Sequence, residues 1–159
     1  MLEKDDNVLN LQIWDTAGAE KYHSMGQSFY RNSESCVLVF DLTQPESFQN
    51  VEIWRTEFLN ALSPSDADTY PFVLLGNKSD MDTSIKVTKD EINDYCSKHN
   101  NMPYFETSAK NDVNLSDAFD KVAELAYERN TKNNGDENFI PTKNVQIGKA
   151  PEQKKKKCC

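Results

Sequence analysis

No apolar run in the 159 residues approaches the ~18 that a helical membrane span needs, and Glu3, Lys4, Asp5 and Asp6 stand where a signal peptide would carry its hydrophobic stretch. The sequence therefore predicts a chain made in the cytosol. Cysteine is scarce too. Of four, Cys36 lies in an apolar run, Cys96 in a helical pattern, and Cys158 and Cys159 are the last two residues. Such spacing fits neither a disulfide framework nor a zinc site. Basic residues are outnumbered, 18 Lys and Arg against 26 Asp and Glu, for a formal charge of −8. That balance argues against a general nucleic-acid binder, which neutralises phosphates with a basic face. Internal repeats are absent, and so is any GxxxxGK[ST] loop, the glycine-rich cradle for phosphates.

What is present suits one domain. A hydrophobic content of 37%, with eight Phe, six Tyr and two Trp, is enough to build a single core. Val8 to Trp14, with Leu9, Leu11 and Ile13 alternating, predicts a strand feeding a loop. Cys36 to Phe40 and Phe72 to Leu75 are continuously apolar, which predicts parallel strands covered on both faces. Between them Thr43-Gln44-Pro45-Glu46 reads as a capping box opening a helix with Phe48, Val51, Trp54 and Phe58 on one stripe. A second box, Thr88 to Glu91, opens a helix to about Lys98, and Pro103 to Thr107 gives a short strand. A last helix carrying Phe119, Val122 and Ala126 is expected to end near Asn130. This alternation predicts an open α/β sheet with right-handed crossovers, whose ligands sit at the carboxyl ends of the strands. Residues 1–130 form the expected domain, and 131–159 a flexible polar tail.

Three short motifs each follow a strand: WDTAG (Trp14 to Gly18), NKSD (Asn77 to Asp80) and ETSAK (Glu106 to Lys110). Asp80 offers one carboxylate that can accept two hydrogen bonds from a planar base with adjacent N–H donors, a pair that adenine lacks. Asn77 can fix the loop, the alkyl stem of Lys78 can cover one face of the base, and Lys110 the other. The small Ala109 lets its backbone N–H come near a base oxygen. Asp15 suits magnesium held through water, and Gly18 lets its N–H approach a terminal phosphate. Each motif alone is weak, but three in order after three strands are not.

WDTAG, NKSD and ETSAK resemble the nucleotide-binding motifs of Ras-superfamily GTPases, which are P-loop NTPases. The terminal Cys158-Cys159 narrows the resemblance to the Rab family. Trp54 to Asp80 and Asn100 to Lys110 are similar to the Rab subfamily of late endosomes and lysosomes or vacuoles. The resemblance covers residues 8–130 and implies GTP/GDP and Mg2+ as ligands. It places Asp15 and Gly18 at magnesium and γ-phosphate, and Asn77, Lys78, Asp80, Ser108, Ala109 and Lys110 at guanine. Trp14 and Phe29 resemble members of an aromatic effector-binding triad, with ordinary core packing as the alternative. Escort protein and GDP-dissociation inhibitor are implied partners, with Val145-Gln146-Ile147 a weak match to the tail motif they engage.

Two departures stand out. Where the family has a water-orienting glutamine this chain has Ala19, so intrinsic hydrolysis should be slow and no catalytic residue is intact. The chain also lacks the segment that in the family holds the first strand, phosphate loop, first helix and first switch. That strand runs mid-sheet between the strands of Leu9–Trp14 and Cys36–Phe40, so its absence should leave the fold unstable or rearranged around a gap, with weakly held nucleotide. An incomplete gene sequence or an incompletely expressed chain is the expected cause. The terminal cysteines are positioned for prenylation, and Lys154 to Lys157 for an anionic leaflet, against the blander readings of a vicinal disulfide and a solvated patch. The expectation is a GTP-binding switch of vesicle transport and fusion, acting at the cytoplasmic face of endosomal, lysosomal, vacuolar or phagosomal membranes and cycling with cytosol. The alternative is a lipidated, non-catalytic fragment that competes for interaction partners.

Overall fold

The computed structural model describes residues 2–4, 7–16, 30 and 32–134. Gly18, Ala19, Phe29, the 145–147 segment, Lys154 to Lys157, Cys158 and Cys159 lie outside the described residues. Among the described residues eleven elements follow one another: β1 (Leu2–Lys4), β2 (Asn7–Leu9), β3 (Cys36–Asp41), α1 (Pro45–Gln49), α2 (Val51–Leu62), a 3-10 turn (Ala67–Thr69), β4 (Phe72–Asn77), a second 3-10 turn (Ser79–Ser84), α3 (Lys89–Lys98), β5 (Tyr104–Glu106) and α4 (Leu115–Asn134).

The apolar run Phe72–Leu75 becomes the central strand because it can be buried on both sides. β4 pairs in parallel with β3, from Cys36↔Phe72 to Asp41↔Asn77, and with β5, from Leu74↔Tyr104 to Gly76↔Glu106. The period-2 alternation sends Leu38, Phe40, Phe72 and Leu74 into one core with Val51 and Phe58 of α2 and Ile92 and Cys96 of α3. Val73 and Leu75 face the opposite side, against Ala118 and Val122 of α4. Val73 and Leu74 are fully buried, and burial of such side chains stabilises by about 1.5–3 kcal/mol each. Helices thus cover both faces of the central strand β4, as the sequence predicts.

Four expectations need correction. The Val8–Trp14 strand does not form. Only Asn7–Leu9 is a strand, paired antiparallel with Leu2–Lys4 in a separate two-stranded sheet, and Leu11 and Ile13 are exposed. The reason is the gap at β3: it stands at the edge of the order β3-β4-β5, with no further strand beside it among the described residues. Val39 is also 57% exposed, so β3 is not covered on both faces.

The first capping box is not made either. Gln44 is the N-cap without a side-chain bond, while Thr43 turns both its N–H and its hydroxyl to Asp41 Oδ1, at 2.8 and 2.7 Å. A carboxylate two residues upstream is the stronger acceptor and forms the turn instead. The predicted apolar stripe survives, since Asn50 between α1 and α2 keeps helical angles and Trp54 N–H donates to its carbonyl at 3.1 Å. The second box is complete: Thr88 Oγ accepts from Glu91 N–H, and Glu91 Oε2 accepts from Thr88 N–H at 2.9 Å. Finally, α4 runs to Asn134 rather than Asn130. No glycine or proline interrupts it before Gly135, and Arg129 pins its last turns to the protein body.

Candidate guanine-nucleotide site

β3, β4 and β5 end side by side at Asp41, Asn77 and Glu106, and the loops that leave them build the site. After Asn77 the chain turns sharply because Lys78 adopts left-handed angles, φ 68 and ψ 36, which lead into the 3-10 turn carrying Asp80. A lysine in that region costs roughly 1–2 kcal/mol, so the turn must be held from outside. Ser79 N–H donates to Thr107 carbonyl at 3.0 Å, Leu42 N–H to Asn77 carbonyl at 3.0 Å, and Lys78 Nζ lies 2.6 Å from Asp41 Oδ2.

The loop after β5 is equally constrained. Thr107 N–H donates to Gly76 carbonyl at 2.8 Å, Ser108 forms an antiparallel bridge with Val113, and Asn114 Nδ2 donates to Glu106 carbonyl at 2.7 Å. Asp112 and Asn114 both take φ 56, the left-handed region that Asn and Asp tolerate best. Thr107 and Ser108 are buried although polar, and both hydroxyls reach across to the first loop. Ser108 Oγ donates to Asp80 Oδ1 at 2.7 Å and accepts from Asn111 N–H at 3.2 Å. Asn77 Oδ1 accepts from Ala109 N–H at 3.1 Å and receives Thr107 Oγ at a long 3.5 Å. Lys110 Nζ stands 3.7 Å from Asp80 Oδ2.

The Ser108 hydrogen bond, opposed by partial burial and aided by the local backbone and by Lys110, holds the Asp80 carboxyl below the usual carboxylate range. At neutral pH it is an acceptor only, and its oxygens keep lone pairs beyond those used internally. Burial opposes ionisation of Asp41, but hydrogen bonds from Lys78 and Thr43 outweigh it and lower its pKa as well.

The structure thus brings together Asn77, Lys78, Asp80, Ser108, Ala109 and Lys110. Ala109 N–H, expected to meet a base oxygen, here donates to Asn77. Asp15 is not part of this cluster. With Trp14 it is exposed and lines a cavity of about 850 Å³ along the open edge of β3, which none of the six residues lines. Sequence reasoning missed Asp41. Its signal was a carboxylate closing an apolar strand at the carboxyl end, the side on which ligands bind.

The Ras family model matches residues 1–128. Ras-related protein Rab-7a of Paramecium octaurelia is 42% identical over 98% of this chain and 75% of its own length. This chain is a Rab7-like small GTPase of the Ras family. Two further relatives agree: Ras-related protein RABG3c of Arabidopsis thaliana is 43% identical over 97% of the chain and 74% of its own length, and Ras-related protein Rab7 of Drosophila melanogaster 48% over 78% and 59%.

Proposed function

We propose that this Rab7-like chain is a guanine-nucleotide switch of membrane trafficking, serving transport and fusion at late endosomes, lysosomes, vacuoles or phagosomes. The observation that carries the reading is the coupling of Asp80 to Ser108 and of Asn77 to Ala109, which locks the NKSD and ETSAK loops into one unit. Asp80 accepts the adjacent N–H donors of guanine, Lys78 and Lys110 cover its two faces with their alkyl stems, and the ETSAK loop lies beside its oxygen.

Asp15 would hold Mg2+ through water. One carboxylate suits that ion, which takes its other ligands from phosphates and water; among the described residues no cluster of three or more His, Cys, Asp or Glu offers an all-protein cage. Bound there, the ion neutralises phosphate charge. Gly18 would approach the γ-phosphate, while Ala19 cannot orient water, so the GTP form is long-lived. Trp14, 56% exposed, would join Phe29 in a surface for effectors. At the other terminus Cys158 and Cys159 would carry prenyl groups, Lys154 to Lys157 would meet an anionic leaflet, and escort protein and GDP-dissociation inhibitor would handle the lipidated chain between cytosol and membrane.

Isothermal titration of wild type and Asp80→Asn with GTP and xanthosine triphosphate tests the base site. The amide replaces an acceptor with a donor, so the variant should lose GTP and gain the xanthine nucleotide. Unchanged preference would remove Asp80 from the base site.

A further inference from the structure

We propose that Asp41 is a positioning residue for guanine recognition, acting through Lys78. This rests on the guanine-site reading above and adds to it a residue outside the three motifs.

Asp41 ends β3 as the register partner of Asn77, and the Lys78 side chain reaches back from the end of β4 to meet it at 2.6 Å. The carboxylate is prepared for that contact. Its Oδ1 is occupied by the Thr43 N–H and hydroxyl, and its backbone N–H donates to Ser47 Oγ at 2.9 Å, which leaves Oδ2 directed to the ammonium. Only 13% of the Asp41 side chain is exposed, against 48% for Lys78, so the fixed partner is the aspartate and the placed one is the lysine.

A lysine stem has four methylenes, and laying it over a base freezes rotamers that are free in solution. Tying its ammonium to a rigid strand end removes much of that cost before the base arrives, and preordering of this kind appears as affinity. The same pair holds Lys78 in its left-handed turn, and that turn sets the direction in which Asp80 leaves β4. Among the described residues Lys110 has no comparable anchor. It is 79% exposed and 3.7 Å from Asp80, so Lys78 is the stem whose position the protein fixes.

The test is a double-mutant cycle on the full chain: wild type, Asp41→Asn, Lys78→Met and the double variant, each titrated calorimetrically with GDP and with guanosine. Asp41→Asn should weaken both ligands by about tenfold, and by the same factor, because the effect falls on the base. Lys78→Met keeps the stem but removes the charge, so Asp41→Asn should add nothing in its background. Equal affinity of Asp41→Asn and wild type overturns the proposal, and so does full additivity, which would mean that Asp41 acts through the Thr43 turn. A measurement that spares Asp41 guards against misfolding of its variant. Lys78→Met leaves Asp41 in place and removes only its ammonium partner, so it should weaken guanosine by about the same tenfold as Asp41→Asn. Lys78→Met that binds guanosine as wild type does overturns the proposal as well. Wild type that binds neither ligand would instead overturn the guanine-site reading and this inference with it.

Discussion

Ser108 is fully buried and polar, and its one hydroxyl serves two loops by donating to Asp80 and accepting from Asn111 N–H. Ser108→Ala leaves both partners short of a bond. The expected cost is about 1–3 kcal/mol of unfolding free energy by urea titration, with the Asp80 carboxyl moving back toward its ordinary range. A second residue-scale case is Tyr104, whose hydroxyl is buried without a hydrogen-bond partner among the described residues. A Cβ at Gly76 would meet that oxygen at 2.7 Å, so the strand needs glycine there for close approach. Tyr104→Phe should therefore be neutral or stabilising by up to about 1 kcal/mol. Gly76→Ala should destabilise by roughly 1–3 kcal/mol, and less in the Tyr104→Phe background. Leu42 and Phe40 remain at 3.0 and 3.1 Å, so the rescue is partial.

Helices in this protein are secured at their ends, by different means. Thr88 caps α3 reciprocally with Glu91, so Thr88→Ala should cost about 1 kcal/mol and fray the first turn, measurable as faster amide exchange there. α4 is secured near its far end by Arg129, aided by Asn130, whose Nδ2 donates to Glu34 Oε1 at 3.2 Å. Arg129 grips Asp66 with two bonds at 2.8 and 3.1 Å, Glu34 at 2.7 Å and the Ser33 carbonyl at 3.2 Å, and its guanidinium lies 4.5 Å from the Tyr70 ring centre. The Arg129 side chain is 15% exposed, and its partners Asp66 and Glu34 are 25% and 32% exposed. Arg129→Met takes the guanidinium from Asp66 and leaves Glu34 only the Asn130 amide, and should cost roughly 2–4 kcal/mol. Arg129→Lys should recover little, because an ammonium cannot reproduce the fork. Chemical denaturation of both variants checks the ranking.

Across the whole molecule these groups set the pH dependence. Burial, and then the nearby Arg55 charge, depress His99 below 6.5, against an opposing pull from Glu52 at 3.3 Å. As pH falls through 6.5 the unfolded chain takes up that proton first, so stability should decline over this window. His99→Gln should remove the decline. Asp41, Asp66, Asp80 and Glu91 are shifted the other way, below their ordinary values. Their contribution is present in full above the usual carboxylate range and is lost as pH falls through their lowered values. Thermal melts from pH 8 to 3 should therefore show a shallow first step and a steep second one.

Much of this was legible locally. The Phe72–Leu75 run specified a buried central strand, since a parallel sheet with helices on both faces needs residues apolar on both sides. Thr88 and Glu91 specified a helix start, because both partners of the box lie within four residues. The NKSD and ETSAK segments named six side chains that the fold does bring together. Elsewhere competition between distant groups decided. Thr43 had two possible partners, and only the end of β3 made Asp41 the better one. Leu9–Trp14 carried a strand pattern, but alternation supplies only a face, whereas a strand also needs a neighbour for its ladder. Asp41 became part of the site through register, which sets it beside Asn77 and within 2.6 Å of Lys78. Periodicity is a property of the chain by itself; pairing and ion-pair geometry depend on which strand ends come to lie together, and only the folded sheet settles that.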